Sequence, residues 1–164
     1  MTHLFLLRHG IAVPSGTPEI PDEERTLTPK GERRVRQVAY GLGVMNLKVD
    51  RIVSSPLPRA LRTAELVADV LGLTSIFDTD PALSADKNAA SIREWLQTRT
   101  EERLMIVGHN PSFSDLLPLL LTGAPTPGFC ELRKAGVAAL RSREGGGWTL
   151  DWVAPPGLLR RLSR

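Results

Sequence analysis

A short apolar run that ends in an arginine, a histidine and a glycine constrains this chain more than any other feature. Residues 4–7 read Leu-Phe-Leu-Leu, which predicts a strand buried in a sheet covered on both faces. Arg8, His9 and Gly10 follow at once. A guanidinium suits an oxyanion such as phosphate, an imidazole serves as nucleophile or proton carrier, and a glycine lets a ligand approach the backbone. Ligands of open α/β sheets bind at the carboxyl ends of strands, which is where Arg8 and His9 would lie. On this stretch alone, a strand end that happens to carry polar residues is the favoured interpretation, and the rest of the chain changes it.

Strand and helix patterns alternate over the next hundred residues. Apolar runs predict strands at 49–55 and 104–107, and helical spacing predicts helices from about residue 58 and over 89–98. A threonine and a proline at 28–29 predict the start of another helix. Gly41 and Gly43 are expected to end that helix. Residues 11–27 hold three prolines and predict a long loop, which in a compact domain is often functional.

The last third of the chain predicts a helix and then an antiparallel hairpin. Ser112 is expected to cap the helix, and Pro118 to kink it or to mark a later start. Strands are predicted at 137–140 and 148–153, where three apolar residues alternate with polar ones and indicate one buried face. The basic tail over 155–164 carries only a weak structural signal.

These patterns predict one domain over residues 1–164, because the length suits a single core. The fold class is α/β: a three-layer sandwich with a mainly parallel central sheet flanked by helices and a late antiparallel hairpin. Only about twenty residues separate Pro81 from the next strand, too few for a cap subdomain over the site.

Composition narrows the partners and the compartment. The net charge of +3 fits an anionic substrate, but no clustered basic patch indicates nucleic acid. The single cysteine, Cys130, fits a reducing compartment and is expected to be a small buried hydrophobe. The apolar run before Arg8 is too short for a signal peptide, and no stretch has the length of a membrane span. A cytoplasmic protein is therefore expected.

Four polar side chains converge at one predicted sheet edge. Arg8 and His9 follow the first strand, Arg59 lies in the turn after the second, and His109 follows the strand at 104–107. Two of these positions precede helix N-termini, where unpaired N–H groups favour anions. Two histidines and two arginines around one crevice predict a site for a phosphoryl group.

The motifs around these residues carry a family resemblance. Residues 7–10 (Leu-Arg-His-Gly), 54–64 (Ser-Ser-Pro-Leu-Pro-Arg-Ala-Leu-Arg-Thr-Ala) and 107–111 (Val-Gly-His-Asn-Pro) resemble, in order and spacing, the histidine phosphatase superfamily. That superfamily has the phosphoglycerate-mutase-like fold. The short length, the segment 25–31 (Arg-Thr-Leu-Thr-Pro-Lys-Gly) and the closing hairpin resemble the SixA branch, the phosphohistidine phosphatases.

The resemblance implies a role for each residue. His9 attacks phosphorus in line and becomes a phosphohistidine, which water hydrolyses. Arg8, Arg59 and His109 surround the transferring group and offset its charge, and Arg25 matches an arginine of the SixA branch that adds a contact. No metal or other cofactor is implied, and the three histidines include no closely spaced pair with acidic neighbours.

Two departures from the family pattern bear on the substrate. Arg62 stands where glutamine is usual, as either an extra phosphate contact or a solvent-facing charge. No glutamate stands near residues 83–85, where many members carry a general acid, which leaves Asp86 and Glu24 as candidates. An alkoxide leaving group needs a proton from such an acid, whereas an imidazole needs far less help. The absence favours phosphohistidine over sugar phosphates.

The leading hypothesis is therefore a phosphatase that acts on phosphohistidine in a protein, such as a phosphotransfer domain. The alternative enzyme is a small-molecule phosphomonoesterase with the same nucleophile. A module that binds phosphate without turnover is a third reading, which the presence of all four core residues disfavours. A nucleophile elbow and a P-loop are both absent.

Overall fold

Six strands form one sheet in the computed structural model, which describes residues 1–163. The strands are β1 (His3–Arg8), β2 (Arg51–Ser54), β3 (Phe77–Thr79), β4 (Arg103–Gly108), β5 (Val137–Ser142) and β6 (Trp148–Ala154). Their order across the sheet is β3-β2-β4-β1-β5-β6. The first four are mutually parallel, and β5 is antiparallel to both β1 and β6. The predicted mainly parallel sheet with a late hairpin is confirmed.

Helices cover both faces of this sheet. They are α1 (Pro29–Val44), α2 (Pro58–Leu71), α3 (Ala89–Gln97), α4 (Ser112–Thr122) and α5 (Pro156–Leu162). On one face, Phe5 and Leu7 of β1 belong to a core shared with α1, α2 and α5. On the other face, Leu4 and Leu6 belong to a core shared with α3 and α4. Alternate residues of one strand thus enter two cores, which is why its sequence is apolar without a break.

The register of β1 and β4 positions the candidate site. Leu7 pairs with Val107 and Arg8 with Gly108, so that His9 and His109 leave adjacent strands at the same level. The His9 amide continues this pairing by donating to the Gly108 carbonyl at 2.9 Å.

The start of α1 agrees with the sequence, but its predicted end was wrong. The Thr28 hydroxyl accepts a hydrogen bond from the Gly31 amide, as expected of an N-cap. The helix passes through Gly41 and Gly43 and ends at Val44. A Cβ atom on Gly41 would lie 2.1 Å from the Leu159 carbonyl oxygen of α5. Gly41 therefore permits close packing of two helices.

The prediction of one buried face on the last strand was also wrong. A register shift between Ala139 and Leu140 places a bulge in the β5–β6 pair. Trp148 and Leu150 pack against the core of α3 and α4, whereas Trp152 packs against the opposite core. An extra residue reverses the alternation of side chains, so the apolar residues of β6 divide between the two faces.

Two local features of α4 differ from the sequence predictions, and two short elements were not predicted. Ser112 is the first residue of α4 and not its cap, since its hydroxyl donates to the His109 carbonyl at 3.0 Å. Pro118 lies inside α4 and does not delay its start. The short strand β3 and the tail helix α5 had no clear sequence signal. None of the helices within residues 1–163 is long and apolar enough to cross a membrane.

Candidate active site

Two buried histidines lie side by side at the carboxyl edge of the parallel strands. His9 is 6% exposed and His109 is 2% exposed. Their ring centroids are 5.3 Å apart, with the ring planes inclined at 52°. The structure thus brings together two side chains that are a hundred residues apart in the sequence, because their strands are neighbours in register.

The backbone determines which nitrogen of His9 faces the site. His9 Nδ1 lies 2.8 Å from the Gly10 carbonyl oxygen. A carbonyl only accepts, so Nδ1 carries the hydrogen and Nε2 keeps its lone pair. The Gly10 amide in turn donates to the Thr63 hydroxyl of α2 at 3.0 Å. His9 is therefore held with its lone pair on Nε2.

The second histidine is held by a serine that follows β2. His109 Nε2 lies 2.8 Å from the Ser55 hydroxyl, which also accepts the Leu57 amide at 3.2 Å. A hydroxyl that donates to Nε2 leaves the imidazole hydrogen on Nδ1. Nδ1 is buried and has no acceptor among residues 1–163. This N–H is available to an oxygen of a ligand.

Arg59 lies in the first turn of α2 and is 2% exposed. Its Nη1 donates to the Asp22 carbonyl oxygen at 2.7 Å, and its Nη2 donates to the Asp22 carboxylate at 3.1 Å. Its Nε is buried without an acceptor in the described part of the chain. Because a buried N–H without an acceptor is costly, this unused donor indicates a place for an anion.

Arg8 ends β1 and turns toward the segment before β5. Its Nη1 donates to the Leu132 carbonyl oxygen at 2.7 Å, and the exposed Glu131 carboxylate lies 3.7 Å away. Its Nε is another buried donor that no described residue accepts. Arg8 therefore adds a second guanidinium with an unused donor.

Arg25 lies near the site, but protein acceptors hold it. Its Nη1 donates to the Val13 carbonyl oxygen at 2.8 Å, and its Nε donates to Asp22 Oδ1 at 2.8 Å. Its charge is among those that act on His109. The structure thus brings all five of the predicted site residues into one charged cluster.

Burial makes both histidines weak bases. It is the main cause that lowers the pKa of His9 to about 3, and the charges of Arg59 and Arg8 act in the same direction. Burial and then the Arg59 charge lower the pKa of His109 to about 4. Both imidazoles are therefore neutral near pH 7, as a nitrogen nucleophile must be.

The two candidate acids contribute little to this site. Asp86 is largely exposed and pairs with Lys87 at 3.1 Å, and Glu24 is exposed. Neither is among the groups whose charge acts on His9 or His109. The Arg62 guanidinium forms ion pairs with the Glu32 carboxylate at 2.7 Å and with the Glu65 carboxylate at 3.1 Å.

Sequence reasoning missed two residues of the site. Asp22 joins Arg59 to Arg25, and Ser55 holds His109. Asp22 stands three residues before Arg25, a spacing that allows an ion pair but also occurs by chance. No group of three or more histidine, cysteine or carboxylate side chains within residues 1–163 could hold a metal ion.

Comparisons with known proteins identify the family of this chain. The family model of the histidine phosphatase superfamily (branch 1) matches residues 4–84. An uncharacterised protein of a Picosynechococcus strain is 34% identical over 142 residues, which cover 85% of this chain and 84% of that protein. The phosphohistidine phosphatase SixA of Escherichia coli K12 is 28% identical over 156 residues, which cover 93% of each chain.

A solved structure supports the same assignment. The structure of the protein histidine phosphatase SixA complexed with tungstate superposes with a TM-score of 0.81 at 26% identity, over 94% of this chain and 97% of that one. The chain belongs to the histidine phosphatase superfamily. SixA proteins match it over nearly the whole chain in both sequence and structure.

Proposed function

We propose that this protein is a phosphohistidine phosphatase, which removes the phosphoryl group from a histidine of another protein with His9 as the nucleophile. One observation carries the proposal: the neutral His9 ring lies 5.3 Å from that of His109, beside the buried Arg59. Tungstate, bound in the SixA structure, is an oxyanion of the same general shape as phosphate.

The reaction proceeds in two steps on this arrangement. His9 Nε2 attacks phosphorus, and a new nitrogen–phosphorus bond forms as the bond to the substrate imidazole breaks. The electron pair of the broken bond leaves with that imidazole, which takes up a proton from the solvent. Water then attacks the phosphorus of the phosphohistidine, the bond to His9 Nε2 breaks with its electron pair returning to Nε2, and the water proton remains with the released phosphate or passes to the solvent. The Arg8 and Arg59 guanidiniums and the His109 N–H offset charge on the equatorial oxygens.

The leaving group fits a site without a strong acid. In the first step one imidazole replaces another on phosphorus, so the bond formed and the bond broken are of the same kind. An alkoxide would need a proton from a general acid. Asp22, the carboxylate that acts on His109, is tied to two arginines and stays ionised. A phosphoramidate substrate therefore suits these residues better than a phosphate ester.

We propose a protein substrate and a cytoplasmic location. The substrate is a protein that carries phosphohistidine, such as a phosphotransfer domain, and the proposed compartment is the cytoplasm. Between β3 and β4 the chain forms only a short turn and α3, so no cap subdomain is inserted there.

The test compares a phosphohistidine-bearing protein with p-nitrophenyl phosphate as substrates for the wild type, His9→Ala and His3→Ala. His3 is a matched control, because it lies on the same strand at the other end. His9→Ala is expected to lose at least about 10³-fold on both substrates, since it lacks the nucleophile, while His3→Ala keeps full activity. Rapid quenching should trap an acid-labile phosphoryl group on the wild type.

Three results would contradict the proposal at different points. Turnover of p-nitrophenyl phosphate alone would indicate a small-molecule phosphomonoesterase. Phosphate binding without turnover or a His9 adduct would indicate a binding module. Activity that survives in both His9→Ala and His9→Asn would exclude His9 as the nucleophile.

A further inference from the structure

Asp22 holds the buried arginine of the site at two points. The Arg59 Nη1 and Nη2 donors bond to the carbonyl and the carboxylate of this one residue, at 2.7 and 3.1 Å. Two bonds to a single residue restrict the rotation of a guanidinium plane more than one bond does. The clamp leaves the Arg59 Nε–H without an acceptor within residues 1–163. Arg59 is thus oriented before a ligand arrives.

Arg25 completes the clamp from the other side. Its Nε and Nη2 both lie 2.8 Å from Asp22 Oδ1, and its Nη1 lies 2.8 Å from the Val13 carbonyl oxygen. Each nitrogen of this guanidinium therefore faces a protein acceptor. Ser15 adds a further hydrogen bond to Asp22 Oδ1 at 3.0 Å. The Asp22 carboxylate lies between two positive charges that would otherwise repel each other.

The loop that carries Asp22 is closed at its base. Ala12 forms an isolated antiparallel bridge with Leu27, and the Val13 amide donates to the Thr26 carbonyl at 2.9 Å. The Thr28 amide donates to the Ile11 carbonyl at 2.9 Å. These bonds hold the two ends of the loop together, so that Asp22 is brought to Arg59 by the backbone and not by chance contact of flexible side chains.

Asp22 is unsuited to act as a general acid here. Partial burial opposes its ionisation, but the Ser15 hydrogen bond and the charges of Arg59 and Arg25 hold the pKa of Asp22 below its usual range. A carboxylate that stays ionised cannot donate a proton near pH 7. What remains for Asp22 is orientation of its partners.

We propose that Asp22 is a positioning residue for the phosphate pocket, and that Arg25 acts on this pocket through Asp22 and not by contact with the phosphoryl group. The proposal rests on the proposed function, since it assigns Arg59 to the transferring phosphoryl group. It replaces the direct contact that family resemblance implies for Arg25. Asp22 pairs with Arg25 on one side and with Arg59 on the other. Loss of the Asp22 or the Arg25 side chain should therefore misorient the Arg59 guanidinium in the transition state.

A double-mutant cycle on p-nitrophenyl phosphate and on the phosphohistidine protein tests this. Asp22→Ala and Arg25→Ala are each expected to lower kcat by about 10- to 100-fold, because a misplaced catalytic group costs that much. The kcat of the Asp22→Ala/Arg25→Ala double variant should be no lower than that of the less active single variant, since both changes break the same series of ion pairs. Arg36→Ala and Asp69→Ala are matched controls, an exposed ion pair between α1 and α2 that should leave kcat unchanged.

Two outcomes would overturn the proposal. If the losses in the double variant multiply, Arg25 contacts the phosphoryl group by itself. If Asp22→Ala tightens inhibition by inorganic phosphate and leaves kcat intact, Asp22 competes with phosphate and does not position Arg59.

Folding is controlled by two conservative variants. Asp22→Asn keeps the backbone carbonyl and one side-chain oxygen that can accept from Arg59, and Arg25→Lys keeps the charge near Asp22. Both are expected to restore part of kcat, whereas no recovery in either folded variant would contradict positioning. The failure of the proposed function is separate, because it appears as activity of His9→Ala whatever the result of this cycle.

Discussion

The carboxyl ends and the amino ends of the parallel strands form two edges of the central sheet, and these edges carry different kinds of side chains. At the carboxyl edge of the parallel strands, His9, Arg59 and His109 are polar and buried, and atoms of the last two have no described partner. At the opposite edge, where α3 and α4 end, a cleft of about 490 Å³ is lined by leucines together with Arg143 and Trp148. None of the predicted site residues lines that cleft.

The difference favours the carboxyl edge as the site, because buried polar and charged groups, and not cavity size, distinguish it. Burying imidazoles and guanidiniums away from water costs free energy unless partners or a ligand compensate. Buried ionisable side chains with shifted pKa values are frequent at functional sites, where the chemistry requires those pKa values. Substitutions at the two edges or at pairs of positions on one helix, and a change of pH, should therefore differ in their effects on activity and stability.

The largest effect is expected from two arginines one turn apart on α2. Arg59→Ala should lower kcat/KM by about 10²- to 10³-fold, because a buried donor to the phosphoryl group is lost. Arg62→Ala should stay within about twofold, since the Arg62 side chain is 41% exposed and pairs with Glu32 and Glu65. Steady-state kinetics on either substrate measure both variants. Equal losses would mean that the burial of Arg59 has no functional meaning.

The second comparison uses two glycines at opposite ends of α1. A Cβ on Gly31 would lie 2.0 Å from the Ile11 carbonyl oxygen, so Gly31→Ala must displace the loop that carries Asp22. We expect a loss of about 1–3 kcal/mol in the free energy of unfolding. A Cβ on Gly43 would come no closer than 3.5 Å to Leu71, so Gly43→Ala should gain about 0.5–1 kcal/mol from helix propensity.

Urea unfolding of the wild type and the two variants measures these changes. A loss of stability in Gly43→Ala, or an unchanged free energy of unfolding in Gly31→Ala, would show that the carboxyl edge is no more tightly packed than the opposite edge.

The third prediction concerns pH. The pKa of His9 is about 3 and that of His109 about 4 in the folded protein, against about 6.5 when unfolded. Between pH 6.5 and 4 the unfolded chain therefore binds more protons, and the free energy of unfolding should fall as the pH decreases. Each histidine contributes at most about 1.4 kcal/mol per pH unit.

Urea titrations at pH 7, 6 and 5 measure this slope, and His9→Asn should have a shallower one. The same neutrality should keep kcat/KM free of an acid limb near pH 6.5. An equal slope in the variant would mean that folding does not lower the pKa of His9.

The smallest effect is expected at the edge opposite the site. Arg143→Ala should leave kcat/KM within about twofold on both substrates, because Arg143 lines the distant cleft and contacts no site residue. A large loss would show that the two edges are coupled through the sheet.

Much of this fold could be predicted because its signals are local. The apolar run of β1 and the Thr28-Pro29 start of α1 depend on neighbours along the chain, and both are confirmed. Side-chain direction on β6 could not be predicted, since one bulge against Ala139 and Leu140 reverses it. The helix α5 has a weak pattern of its own and is held by packing against α1, through Gly41 and Leu159.

For the site, the sequence by itself determined which chemistry meets at one edge. Arg8 ends a strand and His9, Arg59 and His109 follow strands, and parallel strands end together. Only the tertiary structure decided how those groups are held: Asp22 reaches Arg59 across 37 residues, and Ser55 reaches His109 across 54. The physical reason is that hydrophobic periodicity is written along the chain. Hydrogen-bond partners and the pKa values they adjust depend on distances that exist only after folding.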